Sequence, residues 1–283
     1  MKFKTNKIIF LILILIITSC EDDERITGNP ELSAVKEKNI QKYNLEIEKE
    51  QRQNRTVCDT LALEEYIIDN YPAGTYLMKL NKTAVYDIPQ KAVIYYKDKC
   101  SRSQYIFACV VESKDCERFV EPNNVIGYEA SFVNLDSTKL GTALFYLTLF
   151  ECDNNNGTFN KIWEKIVPSQ GGFNSIKLKK WRPKNILYIE MNFSDGIISG
   201  HRNYNYFLLD GIEDEPHLLE TYDGISHRRT LAIVDENIYP DYFEYRFIHN
   251  SVSISVRDSI PFYWDKKKNL YITRINKNWF RKY

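Results

Sequence analysis

The sequence predicts an all-β domain preceded by a charged tether, and three observations carry that prediction. From Gly74 onward the apolar pattern has a period of two, in short runs separated by polar or glycine-bearing turns. Tyr and Phe are abundant, with 20 and 15 copies, which suits side chains that must cover pleated surfaces. No strand–helix–strand rhythm is present, which argues against Rossmann, TIM-barrel and α/β-hydrolase folds. Charge sets a further limit on function. The 38 Lys+Arg balance 38 Asp+Glu, so the chain lacks the basic excess that nucleic-acid binding calls for.

The first element is an address. Lys2, Lys4 and Lys7 precede an unbroken apolar run from Ile8 to Ile17, which has the length of a signal-peptide core and about half that of a spanning helix. The run ends in Ile17-Thr18-Ser19-Cys20, which resembles a bacterial lipobox. That resemblance implies a signal peptide over 1–19 and acyl chains such as palmitate on Cys20, and two or three chains anchor a protein stably where one does not. Glu21-Asp22-Asp23-Glu24 follows, and it resembles the surface-export signal of Bacteroidota lipoproteins, implying attachment to the outer membrane with the domain facing outward. Residues 20–55 then form the lipidated cysteine and tether. Their thin apolar series of Leu32, Val35, Ile40, Tyr43 and Ile47 fits one exposed helix or a ragged spacer.

Residues 56–283 form one β-rich domain that opens with a short helix. Leu61 to Ile68 is helical in pattern, with Asp59 or Thr60 as N-cap, and Tyr71-Pro72-Ala73-Gly74 ends it. Strand-like runs follow at 75–80, 92–96, 105–111, 143–151, 159–167, 175–179, 186–193, 204–209, 217–222, 230–234, 242–248, 251–256, 261–264 and 270–275. Setting Cys20 aside, the cysteines are Cys58, Cys100, Cys109, Cys116 and Cys152. Export permits disulfides, and an odd count leaves at least one thiol unpaired within the chain. Cys109 and Cys116 bracket six residues and could close a hairpin loop; the remaining pairing is open. No cysteine spacing suits zinc.

Two architectures fit these strands, a β-sandwich and a degenerate small β-propeller. The loop Asp235-Glu236-Asn237-Ile238-Tyr239-Pro240-Asp241 lies between two strands and resembles the Asp-rich loop of FG-GAP and related propeller repeats. The resemblance places Asp235, Asn237 and Asp241 at oxygen-bearing positions. Ile233 stands where the first ligand belongs and Ile238 where the turn glycine belongs, so the six-oxygen shell of Ca²⁺ is incomplete. The reading is therefore a domain without a cofactor, Ca²⁺ being the one ion these oxygens suit. Three strand–turn–strand segments beginning about 43 to 45 residues apart match the length of a propeller blade, and favour the propeller-like form. The stretches GYEASFVNLDSTKLGTALFYLTLFEC, IVPSQGGFNSIKLKKW and YNYFLLDGIEDEPHLLETYDGISHRRTLA resemble a group of Bacteroidota lipoproteins, which brings no activity and no catalytic residues.

The chemistry-bearing motifs are few. G-x-S-x-G, the P-loop and H-E-x-x-H are all absent. The most function-like stretch runs from Ser199 to Tyr206, a polar and aromatic loop in which His201, Arg202, Tyr204 and Tyr206 could contact an anionic or sugar ligand. Glu190 with Asp195, and Asp210 with Glu213, Asp214 and Glu215, are the acids a glycan hydrolase would draw on. Trp163, Trp181, Trp264 and Trp279 read as core. The sequence thus points to a protein that binds rather than catalyses: an accessory or structural subunit held to the membrane by lipid and docked to an outer-membrane or extracellular protein. That role predicts an exposed apolar patch. The alternatives are a surface module for a glycan or ion, with 199–206 on the rim of its site, and, third, a glycan-active hydrolase.

Overall fold

The computed structural model describes residues 30–80, 90–97, 103–112, 118–120, 140–142, 144–168, 172–194, 201–224, 227–250, 252–275 and 280–281. Residues 1–19, expected to be a signal peptide, Cys20, the acidic stretch after it, Cys100, Cys116, Asp195 and Trp279 lie outside the described residues.

Most of the tether is a helix, α1 (Pro30–Gln51), with proline at its first position, Glu31 in its first turn and Lys49 in its last, all favourable placements against the helix dipole. α2 (Thr60–Asn70) begins as expected, with the Asp59 carboxylate accepting the Ala62 N–H at 2.8 Å. Leu45 of α1 packs with Leu61 and Ile68 of α2. Gln41 locks α1 to the turn after α2, donating to the Thr75 carbonyl at 3.0 Å and accepting the Gly74 N–H at 3.2 Å.

The chain then forms β1 (Tyr76–Leu77), β2 (Lys79–Leu80), β3 (Gln90–Lys91), β4 (Val93–Tyr96), β5 (Ser103–Glu112), β6 (Arg118–Val120), β7 (Leu140–Thr142), β8 (Leu144–Asp153) and β9 (Phe159–Val167). A five-stranded sheet runs β1-β5-β8-β9, with β4 also on β5, while β2 pairs β3 and β6 pairs β7. β5 is the central strand, and Tyr105 to Val111 are buried without a break. Alternation explains this. Ile106, Ala108 and Val110 face α2 together with Leu63, Ile67 and Phe150. Phe107, Cys109 and Val111 face the second sheet.

That second sheet is one antiparallel meander of nine strands in sequence order: β10 (Gly172–Trp181), β11 (Ile186–Ser194), β12 (His201–Phe207), β13 (His217–Asp223), β14 (His227–Ala232), β15 (Asp241–His249), β16 (Ile254–Asp265), β17 (Leu270–Ile272) and β18 (Phe280–Arg281). Its first strands share a core with the first sheet through Ile176, Ile189, Met191, Phe193, Tyr204 and Tyr206. A separate aromatic core joins Trp181, Tyr188, Phe207 and Leu219 to Tyr242, Phe262, Trp264 and Tyr271 of the later strands. Trp163, Trp181 and Trp264 are buried, as the sequence implied.

The propeller expectation is corrected here. Of the three segments spaced like blades, the first is the β8–β9 hairpin of the five-stranded sheet, and the other two are successive stretches of the nine-stranded meander joined by continuous pairing, so they form no separate blades. The turns are local in origin. Trp181 pairs with Ile186 and Asp265 with Leu270, each across four residues that end in an asparagine at positive φ, Asn185 and Asn269. A second correction concerns the cysteines. Cys58, just before α2, bonds Cys152 of β8, 94 residues away, and Cys109 is a buried free thiol on the opposite face of the first sheet. The Cys109–Cys116 loop is therefore not formed.

Candidate functional site

The four residues expected on a ligand-binding loop belong instead to β12, inside the nine-stranded sheet. Arg202, Tyr204 and Tyr206 share one face of it and His201 the other, as a period of two demands. Tyr204 and Tyr206 are buried. Their hydroxyls donate to the carbonyls of Pro168 at 2.8 Å and Ile166 at 3.1 Å, tying the meander to the end of β9. Burial pushes the Tyr206 hydroxyl well above its ordinary pKa. Arg202 pairs with Glu220 and lies over the Tyr222 ring. His201 is exposed, 3.5 Å from the Asn174 amide. The stretch reads as a polar loop because its core-facing residues carry polar tips, and Asn205 adds to that impression although its amide is satisfied by the Leu219 carbonyl and Thr221.

The Asp235–Asp241 loop is closed by its own hydrogen bonds. Asp235 accepts the backbone N–H of Asn237 at 3.1 Å and its side-chain amide at 2.8 Å, Asn237 accepts the Tyr239 N–H at 2.8 Å, and Asp241 accepts those of Val234 and Asp235. The loop also has a cation of its own. The Lys184 ammonium, from the β10–β11 turn, donates to the carbonyls of Asn237 and Tyr239 and stands 3.7 Å from the Asp241 carboxylate. Burial holds the Asp241 carboxyl above its ordinary pKa, against the opposing N–H donors and Lys184. Among the described residues no group of three or more His, Cys, Asp or Glu side chains is placed to hold a metal.

Three of the candidate hydrolytic acids are occupied elsewhere. Glu190 pairs with Lys179, Glu215 with Lys165, and Glu213 accepts the Tyr105 hydroxyl. The last contact, with the Trp163 indole donating to the Ile212 carbonyl at 2.8 Å, straps the β12–β13 loop onto the first sheet.

Two features escaped the sequence reading. One is an ion cluster in which buried Arg229 meets Glu244 at 3.2 Å and Glu220 at 3.7 Å, its guanidinium between the rings of Tyr222 and Tyr242. Its members come from β13, β14 and β15 and have no common spacing. Another is a groove of about 860 Å³ between α1, α2 and β1–β3, within the size range of small-ligand sites. Glu48, Glu64 and Lys79 line it around buried Lys91, which pairs with Glu64 and lies 3.6 Å from Glu48. Burial raises the Glu64 pKa despite Lys91. Buried Thr75 also lines the groove, and its hydroxyl has no hydrogen-bond partner among the described residues.

Exposed apolar surface, which the sequence reading did expect, lies in two places. On α1, Leu32, Val35, Ile40, Tyr43 and Ile47 are 39 to 70 % exposed. At the far end of the meander, the β15–β16 hairpin extends past β14, whose pairing stops at Arg246, and carries Ile248, Val252, Ile254 and Val256 at 43 to 93 % exposure. Comparison with protein families, with curated proteins and with solved structures finds no match to this chain.

Proposed function

We propose that this chain is a surface-exposed outer-membrane lipoprotein, anchored through Cys20, whose sandwich-type β domain serves as an accessory subunit by docking a partner protein. The observation that carries the reading is the β15–β16 arm. Val256 lies across from Phe247, and Ile254 across from His249, so exposed Ile254 and Val256 share one face of a two-stranded projection with half-buried Phe247, while exposed Ile248 stands on the other face. Burying such groups against a partner is worth about 1.5–3 kcal/mol for each large side chain. The test is isolation of the full-length tagged protein from gently solubilised membranes, for the wild type and for Ile254→Asp/Val256→Asp. A stoichiometric partner lost in the double variant supports the reading. A partner retained by it takes the arm out of the interface, and a wild type with no companion refutes the accessory role.

A second reading, a module for a glycan, is favoured by the unpartnered Thr75 hydroxyl in the groove beside α1. A glycan screen in which Thr75→Val loses a hit that the wild type binds would support it.

A further inference from the structure

We infer that α1 pairs two copies of this chain in an antiparallel arrangement, using a face distinct from the β15–β16 arm. One side of α1 is committed to its own domain through Leu45 and Gln41, Lys42 with Asp69, and Lys49 with Glu65. The opposite side is exposed and has a heptad frame. Lys36, Tyr43 and Glu50 follow one another at seven-residue steps along its centre. Ile40 and Ile47 flank that line on one side, and Asn39 and Glu46 on the other.

The order of charge along this line selects the geometry. A parallel pair would set Lys36 against the same lysine and Glu50 against the same glutamate. A two-fold axis at Tyr43 instead sets Lys36 opposite Glu50 of the partner subunit, twice over. The same rotation brings Ile40 within one residue of the level of the partner's Ile47, and Asn39 within one residue of the level of the partner's Glu46. In antiparallel helix pairs residues on one flank meet the same flank of the partner, so the isoleucines cover each other and the asparagine amide meets a carboxylate. Lys36 and Glu50 are both exposed and make no ion pair with a described residue of their own chain, so each is available across the axis. The contact is one helix long, about 33 Å at 1.5 Å per residue, which suits a weak and reversible association.

The test is the molar mass of the full chain in mild detergent, by light scattering over about 1 to 100 μM, for the wild type, Lys36→Glu, Glu50→Lys and the double variant. The wild type should pass from monomer to dimer with concentration. Each single variant should weaken association about tenfold, since it turns two attractive pairs repulsive, and the double variant should recover to within about threefold of the wild type. Tyr43→Cys should cross-link to itself under mild oxidation. Lys36→Cys should not, because the axis leaves its two copies about 21 Å apart. A monomer throughout, singles without effect, a double variant no better than the singles, or Lys36→Cys cross-linking as readily as Tyr43→Cys would each overturn the proposal. Unfolding midpoints close to wild type keep the variants interpretable, because neither charge touches the domain.

Discussion

His217 makes this fold sensitive to mild acid, and the effect can be sized from its surroundings. The ring sits against Tyr239, Trp264 and Tyr271, with centroids 4.5 to 5.8 Å away. The Tyr271 hydroxyl donates its hydrogen to the Pro240 carbonyl at 2.8 Å, so towards His217 Nε2, also 2.8 Å away, it acts as acceptor. The imidazole therefore carries a proton on Nε2. Desolvation among these rings lowers the His217 pKa from 6.5 to about 4. The sign follows from linkage. Below pH 6.5 the unfolded chain takes up a proton that the folded chain refuses until about pH 4, so stability is full above 6.5 and is lost as pH falls through this window. At 1.4 kcal/mol per pKa unit the loss tends to about 3 kcal/mol, and solvent at the partly exposed edge of the ring brings the value at pH 5 to about 1 to 2 kcal/mol.

Urea unfolding of the wild type and His217→Phe at pH 7.5, 6 and 5 isolates this contribution. Asp59, whose pKa is lowered, and Glu64 and Asp241, whose pKa values are raised, titrate alike in both proteins and cancel in the difference. The wild type should lose about 1 to 2 kcal/mol more than the variant between pH 7.5 and 5. Parallel pH profiles, or a wild type that gains on the variant as pH falls, would refute the argument.

Three other outcomes are expected. Replacing both Cys58 and Cys152 by serine opens a loop of 94 residues, for which chain entropy gives about 4 to 5 kcal/mol, so the urea midpoint should fall steeply; a change under 1 kcal/mol would remove this bond from the account of stability. Gly157→Ala, at φ +70° with its new Cβ 3.1 Å from both Val57 Cβ and the Val57 carbonyl oxygen, should cost about 1 to 3 kcal/mol by the same assay, and a neutral effect would show that the β8–β9 turn relaxes freely. Lys184→Met should cost about 2 kcal/mol and loosen residues 235–241 in hydrogen exchange, because it leaves buried Asp241 without its nearest cation.

What could be read from the sequence was what neighbours in the chain decide. The α2 cap and most strands of the meander each depend on a handful of adjacent residues, and each was legible as a cap residue or a period; the Asn185 and Asn269 turns are equally local in origin but were not singled out. Pairings across long separations were not legible. Nothing near Cys58 favours Cys152 over the other thiols, and nothing near Arg229 announces Glu244, because sheet order brings both pairs together. β12 shows the same limit within seven residues. Polarity by residue type suggested a loop, but Tyr204, Asn205 and Tyr206 carry polar atoms whose partners, the carbonyls of Pro168, Leu219 and Ile166, become available only once the sheets are stacked. A central strand can tolerate such residues when each polar tip finds an acceptor, and here each does.

α1 tests that reasoning in the other direction. Its charged composition suggests a solvated spacer, and a spacer has no reason to keep large apolar groups at regular intervals on the face turned away from its domain. Helical propensity does not call for them, since Lys, Glu and Gln form helix better than Ile or Tyr. Nor does the domain, which takes Leu45 and leaves Leu32, Ile40, Tyr43 and Ile47 in water. Exposing them raises the free energy of the isolated chain, whereas covering them with another helix would lower it. The order of charge along that face then makes a second copy, running the opposite way, the complementary occupant.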